Sequence, residues 1–362
     1  LKSVKLSNNI SSIESCSFEK CLSLENIIIP DSALSIGGMA FYDCDKLKTV
    51  KISNNLTKIG SSSFAYSDDL ENIELPNSLI EIGGEAFTGT MISSIFIPES
   101  VEKIYSRAFG NGNYVTIYCE SESKPKTWDI EWRIESNSEV LWNCECIYED
   151  DLFEYSLFKD NTAHINKYIG SVKEININEK VLYNGNSYTI TKVCDYAFYE
   201  STITSIVMPN SIIEIGKYAF YRNLFLTNVK LSSNLREIKE YTFYECLKME
   251  SIIIYEGVEV IGYNAFWNCN ELKSLSLPNS LIKIDDCAFT NCQKLENLVL
   301  PKNLTYIGHR AFNSLDRLYE VIIPLSVTYI GENAFFNSKI ISIKLPSTVS
   351  SCLSAPETGV YS

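Results

Sequence analysis

Twelve cysteines are the residues of this chain with the most chemistry open to them, as nucleophilic thiolates, metal ligands or disulfide partners. Five of them, Cys21, Cys44, Cys246, Cys269 and Cys292, stand three residues after a phenylalanine, and Ser67, Thr90, Ser201 and Ser338 fill the same place elsewhere. A required bridge would not accept serine in neighbouring copies of the same place. These cysteines therefore read as free, buried thiols that act as small apolar groups and weak donors. Cys144-x-Cys146 is the one close pair outside that pattern. Zinc needs four ligands, and no second pair or nearby histidine supplies the rest. His164 and His309, the only histidines, belong to no Ser/Cys–His–Asp arrangement and are expected at the surface or in coil. Glu149-Asp150-Asp151 lacks the spaced oxygens and glycine of a calcium loop and reads as a solvated turn. Neither phosphate-cradling glycine motif occurs. No catalytic residue, metal or cofactor is expected, and the chain reads as non-enzymatic.

The elements that carry these cysteines repeat. Ala-Phe or a close variant recurs at Phe18, Phe41, Phe64, Phe87 and Phe109, and again at Phe198, Phe220, Phe243, Phe266, Phe289, Phe312 and Phe335, each step within a block being 22 or 23 residues. The rest of the unit keeps the same register: Leu272, Leu275 and Leu277 alternate toward one face, Pro278-Asn279-Ser280 turns the chain, and Leu281, Ile284, Ala288-Phe289 and Cys292 follow. The L-x-x-[VIL]-x-[IL] part has the period-two alternation of a short strand, and proline directly after it ends the strand. A period in this range is the signature of a solenoid. The expected architecture is parallel β-strands stacked one per repeat, joined by irregular or short helical coils into a curved array with one continuous apolar core.

Between Tyr118 and Val193 the period is lost. Trp128, Trp132 and Trp142 fall here and read as a closing unit that covers the last coil of the first array. The following stretch alternates as strands, and Asn184-Gly185 reads as a hairpin turn. The expected organisation is a first array over 1–118, a closing unit and degenerate repeats with an inserted hairpin over 119–190, a second array over 191–346, and a truncated repeat or tail over 347–362. Leu1 already stands in register with the repeat, so the chain is expected to begin inside an array. Ala355-Pro356-Glu357-Thr358-Gly359 is similar to a wall-sorting signal, but Ala replaces its leading Leu and neither an apolar stretch nor a basic tail follows. It is not read as an anchor.

The Pro-x-Ser-[VIL] turns, as in Pro98-Glu99-Ser100-Val101 and Pro209-Asn210-Ser211-Ile212, are joined to Ile-Gly-x-x-Ala-Phe, as in Ile82-Gly83 to Phe87 and Ile330-Gly331 to Phe335. On these residues, roughly 1–118 and 191–346, the chain resembles the leucine-rich repeats of BspA-type bacterial surface antigens. The resemblance implies a leucine-rich-repeat solenoid, an extracellular or cell-surface location, and adhesin-like binding of extracellular matrix, host or neighbouring-cell proteins. An intracellular scaffold or effector that mediates protein–protein interaction is the alternative, since unpaired thiols suit a reducing compartment.

Composition sharpens the partner class. With 45% hydrophobic and 21% charged residues the chain is that of a folded protein. Its net charge of -14 opposes nucleic acid and anionic membrane surfaces alike. No run of 18 or more apolar residues occurs, so no membrane insertion is expected. The strand positions that point away from the core include Ile28, Phe96, Val207, Ile253, Val299 and Ile322, with Lys51, Glu74, Lys230, Ser276 and Lys344 at equivalent places. Strand propensity alone could select such residues. An apolar row across the sheet, the usual binding side of a solenoid, could do so equally. The second reading makes those six residues the candidate protein-binding site.

Overall fold

A computed structural model describes residues 2–110, 115–133 and 138–344; the expected tail over 347–362 lies outside these residues. The chain divides into two compact units, Leu1–Ile147 and Tyr148–Ser362.

In the first unit the alternating stretches become short strands that pair in parallel one repeat apart. Asn26–Ile28 pairs with Thr49–Lys51, which pairs with Asn72–Ile73. Ser94–Ile97 pairs with Val115–Cys119, and that strand with Ser138–Leu141. Alternation decides the faces: Ile27, Val50 and Ile73 turn inward and are buried, while Ile28 and Lys51 turn outward. A second parallel row runs through the Ile-Gly part of each repeat, over Ser12–Ile13, Ser35–Ile36, Lys58–Ile59, Glu81–Ile82 and Lys103–Ile104.

Of the irregular or short helical coils expected, the structure has the irregular kind, with no helix among the described residues. The reason is local. Met39 and Asp43 have φ of 55° and 57°, and Ser62 and Tyr66 have 53° and 59°, so left-handed residues recur four apart and interrupt any right-handed helical run. The amides bond to the next coil instead: Phe41 N donates to Ser63 O at 2.7 Å, Phe64 N to Ala86 O at 2.9 Å, and Phe87 N to Ala108 O at 2.9 Å. The Ile-Gly step lets the coils come this close. A Cβ on Gly83 would sit 2.3 Å from the backbone nitrogen of Ser61, so only glycine fits there.

The core of the first unit is a column of phenylalanines. Phe18, Phe41, Phe64, Phe87 and Phe109 stack in sequence at centroid distances of 5.2, 5.3, 5.7 and 5.4 Å. Each fully buried ring contributes roughly 1.5–3 kcal/mol of transfer free energy. The column ends on Trp132, which meets Phe109 edge-on at 5.9 Å; Trp128 and Trp132 are buried, with Trp142 packed against them.

The second unit opens with an irregular sheet. Phe153–Phe158 pairs antiparallel with Thr162–Tyr168, which pairs in parallel with Asn186–Val193. Lys180–Tyr183 and Asn186–Val193 form a hairpin around Asn184 and Gly185, whose φ of 48° and 81° suit a type I′ turn. The strand ladder begins at Glu174–Asn176, which pairs in parallel with Ser205–Val207, and continues through Asn228–Lys230, Ser251–Ile253 and Ser274–Ser276. A bridge links Ser274 to Asn297, and Glu320–Ile322 pairs with Ser342–Lys344. The phenylalanine column here starts on Tyr168, 5.5 Å from Phe198, and runs to Phe335. Ion pairs in the same one-repeat register decorate the coils, among them Lys217–Glu240, Glu250–Lys273 and Glu271–Lys294.

Candidate functional site

The outward strand positions are fixed by alternation against the buried leucines and isoleucines. Ile28, Ile253, Val299 and Ile322 are 64%, 54%, 79% and 63% exposed, and Val207 is exposed at 37%. Phe96 differs: it is half-buried, in register beside the buried Tyr118 of the next strand. Ile28 and Phe96 lie in the first unit, where Ile28 pairs with Lys51. The other four stand at repeat-equivalent places in the second unit. There Val207 is in register with Lys230 and Ile253 with Ser276, Val299 follows the Ser274–Asn297 bridge, and Ile322 is in register with Lys344. At this place of the repeat, apolar residues thus alternate with Lys230 and Ser276 from Val207 to Val299.

Sequence reasoning missed the parallel polar column beside it. Ser205, Asn228, Ser251, Ser274 and Asn297 stand two residues before the outward positions Val207, Lys230, Ile253, Ser276 and Val299, so four successive strands and the bridge residue Asn297 show hydroxyls or amides there and no carboxylate, until Glu320 takes the place in the next repeat. The serine and asparagine recur at the repeat period, which was the available signal. A shallow hollow of about 190 Å³ opens on this face, lined by Val207, Asn228, Lys230, Ser251 and Ile253 among others. A neighbouring hollow of about 330 Å³ extends it toward Pro209 and Tyr255. Apolar contact, one cation and a ladder of small hydrogen-bonding groups are what this surface can offer.

The buried repeat cysteines bond to neighbouring coils. Cys44 Sγ donates to Phe18 O at 3.1 Å, and Cys246, Cys269 and Cys292 donate to Phe220, Phe243 and Phe266 O at 3.3 Å each. Ser67 and Ser338 do the same to Phe41 and Phe312 O at 2.9 Å. One donor aimed at a coil carbonyl thus explains why Cys and Ser interchange. Burial pushes the Cys44 thiol up to about 11 and Cys269 up to about 12, and neither is in a disulfide. Cys144 Sγ points to Cys146 O at 3.6 Å.

His164 corrects the expectation of a surface or coil residue. It lies in the strand Thr162–Tyr168, its ring 4.4 Å from that of Phe158, and burial, with Lys192 adding to it, lowers its pKa to about 4. Its Nδ1 has no hydrogen-bond partner. In the acidic run, Asp150 Oδ1 accepts from Leu152 N and Phe153 N at 2.8 Å and Oδ2 from the Tyr155 hydroxyl at 3.0 Å, which is turn capping. Among the described residues no group of three or more His, Cys, Asp or Glu could hold a metal ion, and no helix is long and apolar enough to cross a membrane.

The family described as BspA type leucine rich repeat region matches over 1–116, 160–271, 191–292 and 236–354. No relative was found among curated proteins. Among solved structures, a leucine-rich repeat protein from Eubacterium ventriosum is similar with TM-score 0.52 and 21% identity, over 97% of this chain and 86% of that one. A leucine rich cell surface protein from Faecalibacterium prausnitzii gives TM-score 0.48 and 26% identity, over 86% of this chain and 80% of that one. Pneumococcal vaccine antigen PcpA gives 0.34 and 21%, over 90% and 73%. The first of these shows the same fold.

Proposed function

Because this chain belongs to the BspA-type leucine-rich repeat family, we propose that it is a protein-binding scaffold of the cell surface, adhesin-like and without catalysis. Its partners are extracellular matrix, host or neighbouring-cell proteins, held on the outward strand face. In this reading 1–118 and 191–346 are the two repeat arrays, 119–190 holds the closing unit and the inserted hairpin, and 347–362 is a truncated repeat or tail. One observation carries the assignment. In the second unit Val207, Ile253 and Val299 are solvent-exposed at the outward position of segments that carry Ser or Asn two residues earlier and no carboxylate, and Ile322, likewise exposed, follows Glu320. Exposed apolar groups with uncharged polar neighbours suit an interface whose centre is depleted in charge. Ile28 and Phe96 are the corresponding candidates in the first unit.

The test is binding of the chain to a panel of purified, immobilised matrix proteins, with Ile253→Asp/Ile322→Asp as the variant. Both residues are exposed, so folding should persist, as circular dichroism would verify. Saturable binding of the parent chain, weakened tenfold or more by the double substitution, is the expected result. Equal binding by parent and variant sinks the proposal for this face. The unbridged thiols of Cys44, Cys246, Cys269 and Cys292 favour one second reading, an intracellular scaffold.

A further inference from the structure

The turn side of the second unit carries a surface that the strand face does not use. In three successive repeats the sequence reads Tyr-Ala-Phe-Tyr or Tyr-Thr-Phe-Tyr, with the phenylalanine in the core and both tyrosines outside it. Tyr196, Tyr218 and Tyr241 stack at 4.8 and 4.6 Å, within 10° of parallel. Tyr199, Tyr221 and Tyr244 form a second column at 5.3 and 4.8 Å, within 5° of parallel. Trp267 extends the second column at 4.6 Å, and Tyr263 closes the first edge-on at 5.2 Å and 84°. The two columns incline to each other by 55°, 53° and 49° within the three repeats.

Tyr196, Tyr218 and Tyr241 have φ of 59°, 57° and 56°, the left-handed place that Met39, Arg107, Asn264 and Arg310 take in other repeats. What separates these columns from ordinary packing is chemical. The buried column is phenylalanine throughout its repeats, while these outer columns are nearly all tyrosine, half-buried or exposed.

Stacking covers much of each ring face with the neighbouring ring, so the solvent meets a locked array of ring edges and phenol oxygens. Tyrosine held in this way gives a large amphipathic contact area at small entropic cost. The columns are flanked by Asp195, Glu200, Glu240 and Glu245 against Lys217 and Arg222, two more acids than bases. Lys217 is held by Glu240 at 2.9 Å, and Arg222 lies between Glu200 at 2.8 Å and Glu245 at 3.1 Å. These pairs engage both cations and three of the four carboxylates, and Asp195 Oδ1 accepts from Lys217 N at 2.8 Å, so acceptor oxygens outnumber cations on this face.

We propose that this tyrosine face is a second binding surface, and that it takes an arginine-bearing segment of a protein. A guanidinium fork donates to phenol and carboxylate oxygens together in a fixed planar geometry that a lysine ammonium does not reproduce. Burial raises the hydroxyls of Tyr218 and Tyr244 to about 12, so they stay neutral donors and acceptors at physiological pH. The net charge of -14 steers such a segment inward.

The experiment uses the full chain and a fluorescent alternating Arg-Gly peptide, with a Lys-Gly peptide of equal length and charge, at physiological salt. The Arg-Gly peptide should bind more tightly than the Lys-Gly peptide and should protect Tyr199, Tyr221 and Tyr244 of the unmodified chain from nitration. Tyr199→Ser/Tyr221→Ser/Tyr244→Ser should weaken binding about tenfold or more. Tyr199→Phe/Tyr221→Phe/Tyr244→Phe keeps the stacked rings and should weaken it several-fold, which guards against a folding artefact. Ile253→Asp/Ile322→Asp should leave peptide binding intact, so failure of the strand face is told apart from failure of this one. Equal binding of the two peptides, unprotected tyrosines, or indifference to both triple substitutions would overturn the proposal.

Discussion

Removal of one ring from the middle of the phenylalanine column tests what holds the array together. Phe266 is fully buried and stacked on both faces, 5.3 Å from Phe243 and 5.1 Å from Phe289. Phe266→Ala deletes a whole buried ring and leaves a cavity that the two neighbouring coils, each bonded to the Phe266 coil through its backbone, cannot collapse into. Such substitutions cost about 3–5 kcal/mol, and because Phe243 and Phe289 would each be left without a stacking partner on that side, the upper part of the range is expected, about 4 kcal/mol. Phe18 begins the column of the first unit, half-buried, and stacks only on Phe41 at 5.2 Å. Phe18→Ala should therefore cost about half as much, near 2 kcal/mol. Urea denaturation followed by far-ultraviolet circular dichroism measures both, with the parent slope fixed for comparison. Equal costs at the two positions, or less than about 1 kcal/mol at Phe266, would refute the view that stacked burial dominates the core.

Three further outcomes follow from other parts of the structure. Cys269→Ser should stay within about 1 kcal/mol of the parent because serine supplies the same bond to Phe243 O, whereas Cys269→Val should cost about 1 kcal/mol more; in thiol labelling of the native chain the exposed Cys16 should react, and buried Cys246, Cys269 and Cys292 only on unfolding. His164 has its pKa depressed from 6.5 to about 4, so its contribution is present above pH 6.5 and is lost as the pH falls from there toward 4, by at most about 3 kcal/mol; His164→Gln should flatten that part of a stability–pH curve measured in urea. Gly216→Ala, whose Cβ would meet Asp195 N at 2.3 Å, should cost about 2 kcal/mol or more, against about 1 kcal/mol for Gly185→Ala, where φ is 81° and nothing lies within 4 Å; thermal unfolding of the two variants gives the comparison.

Much of the fold was legible because the repeat imposes one physical demand at fixed places. Phe41, Phe64 and Phe87 mark the core column, Ile27 and Val50 the inward strand face, and Asn184-Gly185 the hairpin. The second row of strands was not legible. Pairs such as Ser35–Ile36 and Lys58–Ile59 are two residues long, too short for alternation to show, and exist only because neighbouring coils bond to them. The start of the second strand ladder at Glu174–Asn176 fell outside the array expected over 191–346, because Tyr168, which stacks on Phe198, lies off the repeat period. At the candidate site, exposure followed from alternation for Ile253, Val299 and Ile322. It failed for Phe96, whose environment depends on the next strand, Val115–Cys119, in which alternation ends with Ile117, Tyr118 and Cys119 all buried. The role of the repeat cysteines as donors to a carbonyl in another coil also lay beyond sequence, because the acceptor is 26 positions away.

The most direct test of the binding account is photo-crosslinking from chosen surfaces. A benzophenone amino acid at position 253 or 299 on the outward strand face should crosslink to the matrix protein the chain binds, and one at exposed Ile282, in the coil side of the same unit, should not. Crosslinks from position 282 with none from 253 and 299 would contradict it.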